Sequence, residues 1–382
     1  MSFLTKELTL PKLRAPQVRV PDVSRRGVRA TSAARARGAA VTGLEIGATQ
    51  AIAAEAQASD GMIVASRVAA RPLPAGLVHD GVVVNPDALA HELRALFSEH
   101  KLGKRVRVGL ATPRTILRVI DLPPLDEADI RIALPMHARD RIPMPLEGAV
   151  LDHQVVGLVD TPEGQRLRVV VVATERSGVE SLLTSLRSAG LRPEGIDLSV
   201  FAAMRAVAGP NPSTGPLLHA QLGDLVNIAI ADGGICHFTR QAPQGLALVL
   251  ERLSEQCDCT SNEALKLLSA NSGEQAGDEA GETASTAARE VGMVLGRIAD
   301  ELGTELRAAA EFFGTQSGAT VSAGVITGPL APLRGFVEAL SDASGLDLHC
   351  GTVNVSGAEA IGPIDRSVAP VAVGLAIGAL SR

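Results

Sequence analysis

The chain has 382 residues, long enough for two lobes that each bury a core. It is 46% hydrophobic but only 2% aromatic, with no Trp and no Tyr, so the core must be built from Val, Leu, Ile and Ala, and stacking platforms for bases are nearly absent. The net charge of -6 divides unevenly: residues 1–40 hold nine Lys/Arg against Glu7 and Asp22, leaving 27 basic and 40 acidic residues in the body, a distribution that excludes a nucleic-acid groove.

Residues 1–40 are rich in Arg, Ala, Pro and Ser without helical or strand periodicity, which predicts a disordered basic tail. Two readings stay open for it, an arm touching anionic lipid or an acidic partner, and an idle solvated tail. Lys6, Glu7, Pro11 and Lys12 interrupt any apolar stretch of signal-peptide length, so the chain is expected to stay in the cytoplasm. Order begins at Val41 with VTGLEIG, QAIAAEA and MIVASRVAA, a predicted β-meander. A helix follows with Asn85 as cap, Pro86 in its first position and Asp87 in its first turn, and with an apolar face of Leu89, Leu93, Leu96 and Phe97. The strands VRVGL and ILRVI precede DEADIRIALPMHARDR, a helical pattern that Pro135 is expected to kink or break. Two strands, residues 151–156 and 166–173, lead to SGVESLLTSLRSAG, an amphipathic helix closed by Gly190.

The second half restarts at Leu217 with LLHAQLG, LVNIAIA and ICHFT, another meander. Helices are predicted at 244–256 and after Thr260, where Thr260 and Glu263 have capping-box spacing. An acidic, Gly-rich loop at 270–283 is expected to be flexible, followed by a long helix to about Gln316, the strand VSAGVITG, a helix at 332–341 and an apolar helix from Val368 to Leu380. That last run is too short for a bilayer, which needs about 20 residues, and reads as buried. Cys236, Cys257, Cys259 and Cys350 form no CxxC pairs and are read as reduced thiols, so no metal site is expected. The eight histidines are dispersed, and HExxH, GxSxG and P-loop patterns are absent, so no catalytic residue is assigned.

An internal repeat links the halves. Ungapped, Leu44 falls on Ala220, and Ile46 pairs with Leu222, Gly47 with Gly223, Ile52 with Ile228 and Ala53 with Ala229, while Glu45 falls on Gln221. Each copy is a strand, a glycine turn and a returning strand, a geometry that turns amides toward an anion. A chance likeness between two meanders explains the pairing equally well.

The duplicated hairpins, the long helix and the strand ending VITGPL resemble the superfamily of actin, Hsp70 and sugar kinases, which implies an α/β, two-lobed actin-like ATPase fold of ribonuclease H-like type. The order PLPAGLVHDGVVVNPDALAHELRAL, KRVRVGLATPRTILRVIDLPPLDEADI and RIPMPLEGAVLDHQVVG closely resembles the extra SHS2-like α+β subdomain of the type IV pilus assembly PilM family, related to FtsA. GLRPEGIDLSVFAAMRAV and HFTRQAP are also similar to that family. The resemblance implies a tail at 1–40, a first lobe at 41–73 and 158–208, the inserted subdomain at 74–157, a second lobe at 209–366 and a C-terminal helix at 367–382. It further implies a cytoplasmic protein at the inner face of the membrane, binding the N-terminal peptide of a PilN-like membrane protein and contacting other pilus assembly components.

In that family ATP or ADP binds with Mg between the lobes. Carried across, the first phosphate loop falls on Gly43, Glu45, Gly47, Ala48 and Thr49, the second on Gln221, Gly223 and Asp224, and the adenosine loop on Thr327 and Gly328. Glu45 stands where Asp is usual, Ile52 replaces a basic residue, Gln221 replaces an acid, and Pro329 removes a backbone donor. These departures predict a degenerate site without hydrolysis; the competing reading is an active ATPase of the same fold. The partner groove is expected on the insert, at Arg141, Ile142, Met144 and Leu146, where prolines stiffen the backbone and Met144 adapts to varied partners.

Overall fold

A computed structural model describes residues 41–59, 62–162, 164–207, 215–232, 235–270, 282–353 and 368–380. The expected basic tail at 1–40 and residues 271–281 of the expected flexible loop lie outside these residues. The described chain opens with an antiparallel meander of β1 (Thr42–Ile46), β2 (Gln50–Ser59) and β3 (Met62–Pro72). A short hairpin, β4 (Val78–His79) and β5 (Val82–Val83), leads into α1 (Pro86–Glu99). Asn85 accepts the Ala88 amide at 3.1 Å, satisfying an orphan donor of the first turn, and Leu89, Leu93, Leu96 and Phe97 bury the predicted face. β6 (Arg105–Leu110) then lies parallel to β1.

The next elements form a separate layer: β7 (Thr115–Leu122), α2 (Glu127–Ala138), β8 (Ala149–Thr161) and β9 (Gly164–Glu175). Their strands make an antiparallel sheet in the order β7-β9-β8. α2 continues through Pro135 without the expected break, because Ile130, Leu134 and Ala138 pack with Ile120, Leu122, Val169 and Val171 in one core. The chain returns to the first sheet through α3 (Arg176–Ser188) and β10 (Arg192–Leu198), parallel to β6, and ends the first half with α4 (Ser199–Val207). The strands of the separate sheet run from 115 to 175. Leu77, Val83, Leu93, Val106 and Val108 all belong to the first lobe's core.

The second half repeats the plan with β11 (Leu217–Leu222), β12 (Val226–Asp232) and β13 (Ile235–Ala242). α5 (Leu246–Cys257) and α6 (Ser261–Ala270) follow; Thr260 and Glu263 close the capping box, with the Thr260 amide 2.9 Å from Glu263 Oε2. Next come α7 (Glu282–Ser317), β14 (Ala323–Thr327), α8 (Phe336–Ser344), β15 (Asp347–Cys350) and α9 (Pro370–Leu380). The first sheet has the order β3-β2-β1-β6-β10 and the second β13-β12-β11-β14-β15, with the same strand directions throughout, so the lobes are topological copies.

The last helix returns to the first lobe. α9 packs on β1 and crosses α4, and glycines bring the backbones into contact: a Cβ on Gly374 would stand 1.8 Å from the Ala202 carbonyl oxygen. The insert sheet also has a second apolar face. Leu117 and Val170 pack there with Val200 and Phe201 of α4 and with Ala229 and Cys236 of the second lobe.

Candidate functional site

The turns after β1 and β11 meet across the lobes. Asp224 accepts the Ala48 amide, so the two loops are bonded directly, and a Cβ on Gly47 would make a tight 3.1 Å approach to Asp224 Oδ2. The turn after β1 closes between Ile46 and Ala51, and that after β11 between Leu222 and Val226, one residue sooner. The ungapped repeat therefore holds on the outgoing strands and slips by one on the returning strands: Ile52 corresponds to Asn227, not Ile228. A one-residue slip reverses which side chains face the cleft.

That slip places a row of amides in the second lobe. Gln221 lies opposite Asn227, and Asn227 opposite Gln241. The Gln241 amide donates to Asn227 at 2.8 Å, Asn227 to Gln221 at 3.0 Å, and Gln221 to Glu45 Oε1 of the first lobe at 3.1 Å. Glu45 Oε2 is sealed from solvent without a hydrogen-bond partner. Burial, reinforced by Asp224, pushes the Glu45 carboxyl up to about 8. Burial also raises Asp224, with Asp80 adding to the effect and the Ala48 amide opposing it.

Glu45, Gln221, Asp224 and Asn227 line a cavity of about 50 Å³ together with Thr49, Ile52, Ser199 and Pro329. Among the described residues lining it, none is Lys, Arg or His. Glu45, Gly47, Thr49, Gln221, Gly223 and Asp224 thus lie around one cavity. Gly43 turns away, where its Cβ would stand 1.9 Å from the Ala372 carbonyl oxygen in α9. Thr327 is buried beside Gln221 in the sheet, and Gly328, at φ +105°, presses on the Leu222 backbone. Asn227 and Gln241 escape a reading of the sequence because only the true turn length puts them beside Gln221.

The expected groove residues sit on the insert. Ile142 is buried in its core, Met144 and Leu146 are half-buried against that core, and Arg141 is exposed, its carbonyl accepting from Arg118 at 3.2 Å. Met144 is therefore partly committed to packing. A small hollow lies where the insert meets the first lobe, between Val82 and Leu110 of the lobe and Thr174 of the insert, beside the Arg114–Glu175 ion pair at 2.7 Å.

The profile of the family described as Type IV pilus assembly protein PilM matches residues 43–362. Among solved structures, the chain is similar to the PilM-PilN type IV pilus biogenesis complex, with 27% identity and a TM-score of 0.73 over 88% of this chain and 97% of that chain. Ethanolamine utilization protein EutJ from Carboxydothermus hydrogenoformans is 14% identical, with a TM-score of 0.53 over 88% of this chain and 89% of that chain. MreB 5 of Spiroplasma citri bound to AMPPNP is 11% identical, with a TM-score of 0.51 over 89% and 96%. At those identities EutJ and MreB 5 speak to the fold alone, and they agree with the two copied sheets: the fold is the two-lobed actin-like ATPase fold. Because the family match spans both lobes and the insert, the chain belongs to the type IV pilus assembly protein PilM family.

Proposed function

We propose that this protein is a cytoplasmic-face scaffold of type IV pilus assembly that docks a short segment of a PilN-like membrane protein and does not turn over nucleotide in its cleft. The observation that carries this reading is the 27% identity, over 88% of the chain, with a PilM-PilN complex. No helix among the described residues is long and apolar enough to cross a membrane, so attachment to the bilayer would come through the partner. The docking groove is assigned to the insert and the adjoining first lobe, with Arg141 and Met144 as contacts and Ile142 and Leu146 as anchors of the loop.

The cleft residues do not fit Mg with ATP or ADP. The enclosed space between the two loops is small, about 50 Å³. A polyphosphate would also meet Glu45 and Asp224 without an opposing side-chain cation among the described lining residues. No chemical step is assigned to the cleft.

Calorimetric titration tests both parts. A synthetic PilN-like N-terminal peptide should bind the wild type, and binding should be weakened in Arg141→Glu with a melting temperature close to wild type, and lost in Met144→Asp, which should melt lower because Met144 packs against the insert core. Mg-ATP should give no heat. Unchanged peptide affinity in both variants would move the groove elsewhere, and low-micromolar Mg-ATP binding would restore the ATPase reading.

A further inference from the structure

We propose that the outward face of α2 is a self-association surface, on which two copies of this chain pack their α2 helices antiparallel about a two-fold axis. Ile130, Leu134 and Ala138 hold the inner face of the helix in the insert core. On the opposite face Ile132 is 79% exposed and Met136 is 70% exposed, the two most exposed large apolar side chains among the described residues. Nothing else in the described chain covers them, and neither the cleft nor the groove assigned above uses them.

The spacing identifies the occupant. Asp129, Ile132, Met136 and Arg139 follow one another at intervals of three, four and three residues, which puts them on a single helical stripe of coiled-coil period. Asp129 and Arg139 are both exposed, and neither makes an ion pair among the described residues. The stripe thus reads acid, apolar, apolar, base. Turned end over end, it is its own complement: Ile132 meets Met136 of the second copy, and Asp129 meets Arg139 of the second copy at each end. A parallel arrangement would set like charges against each other, and antiparallel helices also oppose their dipoles favourably. Such an isologous contact closes as a dimer. An anionic membrane fits the face less well, because Asp129 lies within the stripe and Asp140 is exposed beside its basic end.

A helix of 12 residues spans roughly 18 Å, so the contact falls below the standard interface size of about 1,600 Å² and the dimer is weak. Sedimentation of the full chain should therefore show a monomer–dimer equilibrium between about 10 and about 500 µM. Ile132→Asp should leave a monomer throughout. Asp129→Arg and Arg139→Asp should each weaken association about tenfold or more, and the double variant Asp129→Arg/Arg139→Asp should recover it. An equimolar mixture of the two single variants should form heterodimers in preference to either homodimer. All three substituted positions are exposed, so melting curves should overlay the wild type and separate loss of contact from loss of fold. A wild type that stays monomeric over that range overturns the proposal, as does a double variant no better than its parents. If Ile132→Asp instead abolishes binding of the PilN-like peptide and leaves sedimentation unchanged, the face belongs to that partner and the proposal fails.

Discussion

Glu45 sits at the end of a row of amides that all donate toward it, and its second oxygen is buried without a hydrogen-bond partner among the described residues. Its carboxyl is raised from 4.5 to about 8, so between those pH values the folded state holds a proton that the unfolded state has released. Stability then falls as pH rises from about 4.5 to about 8 and levels off above, losing about 1.4 kcal/mol for each pH unit crossed in that window. Asp224, raised for the same reason, acts in the same direction. Glu45→Gln keeps an oxygen for the Gln221 amide and cannot ionise. It should flatten the pH dependence and be more stable than wild type at pH 8 by roughly 1–3 kcal/mol, read from urea midpoints at several pH values. A variant with the wild-type slope would mean that Glu45 is not the group responsible. The outgoing half of this site is legible in the sequence, since Glu45, Gly47, Gln221 and Gly223 follow a strand-and-glycine pattern. Asn227 and Gln241 are not, because which returning residue faces the cleft depends on a turn whose length differs by one residue between the lobes.

Helices whose ends carry local chemistry can be read from the sequence: the Asn85 cap and the Thr260–Glu263 box form as their side chains require. Elements decided by neighbours cannot. Proline in α2 is tolerated because the insert core outweighs its local cost, and α8 begins at Phe336, later than its composition predicts. α9 reads only as apolar, and nothing in its sequence names β1 and α4 as the surfaces that bury it. Small residues make that burial possible. A methyl on Gly374 would meet backbone, 1.8 Å from the Ala202 oxygen and 2.5 Å from its carbon, and backbone cannot rotate aside. Gly374→Ala should therefore destabilise by roughly 3 kcal/mol or more despite the better helix propensity of alanine. Gly292 and Gly296 of α7 provide the control, for no atom lies within 4 Å of a Cβ built on either. Alanine there should be neutral or stabilise by up to about 1 kcal/mol. Equal effects at Gly374 and Gly292 in thermal melts would refute the close crossing of α4 and α9.

At the scale of the molecule, the duplicated sheets follow from the two meanders, but the position of the insert does not. An alternating strand announces two faces without saying that one lies under α2 and the other against the opposite lobe. Here the insert lies under α2 with Val169 and Val171, and presents Leu117 and Val170 to α4 and to Ala229 and Cys236 of the second lobe. The insert therefore spans both lobes and should hold their relative placement. Cys236 reports on this contact because it sits beneath the sheet, its thiol giving a 3.3 Å hydrogen bond to the Phe238 carbonyl and pushed by burial up to about 12. Cys350 is exposed, and Cys257 and Cys259 are half-exposed. In a chain with those three changed to Ser, a thiol reagent at pH 8 should leave Cys236 unlabelled until denaturant is added. Leu117→Ala removes an insert side chain from above it and opens a cavity at that contact. Labelling of Cys236 should then accelerate about tenfold or more. Leu268→Ala, in the second lobe's own core and away from the insert, should destabilise the chain without speeding that reaction at low denaturant. Cys236 that stays protected in Leu117→Ala, or labels equally fast in both variants, would mean that the insert does not cover the second lobe, and the lobes would have to be held by the cleft and by α4 against β11 and β12.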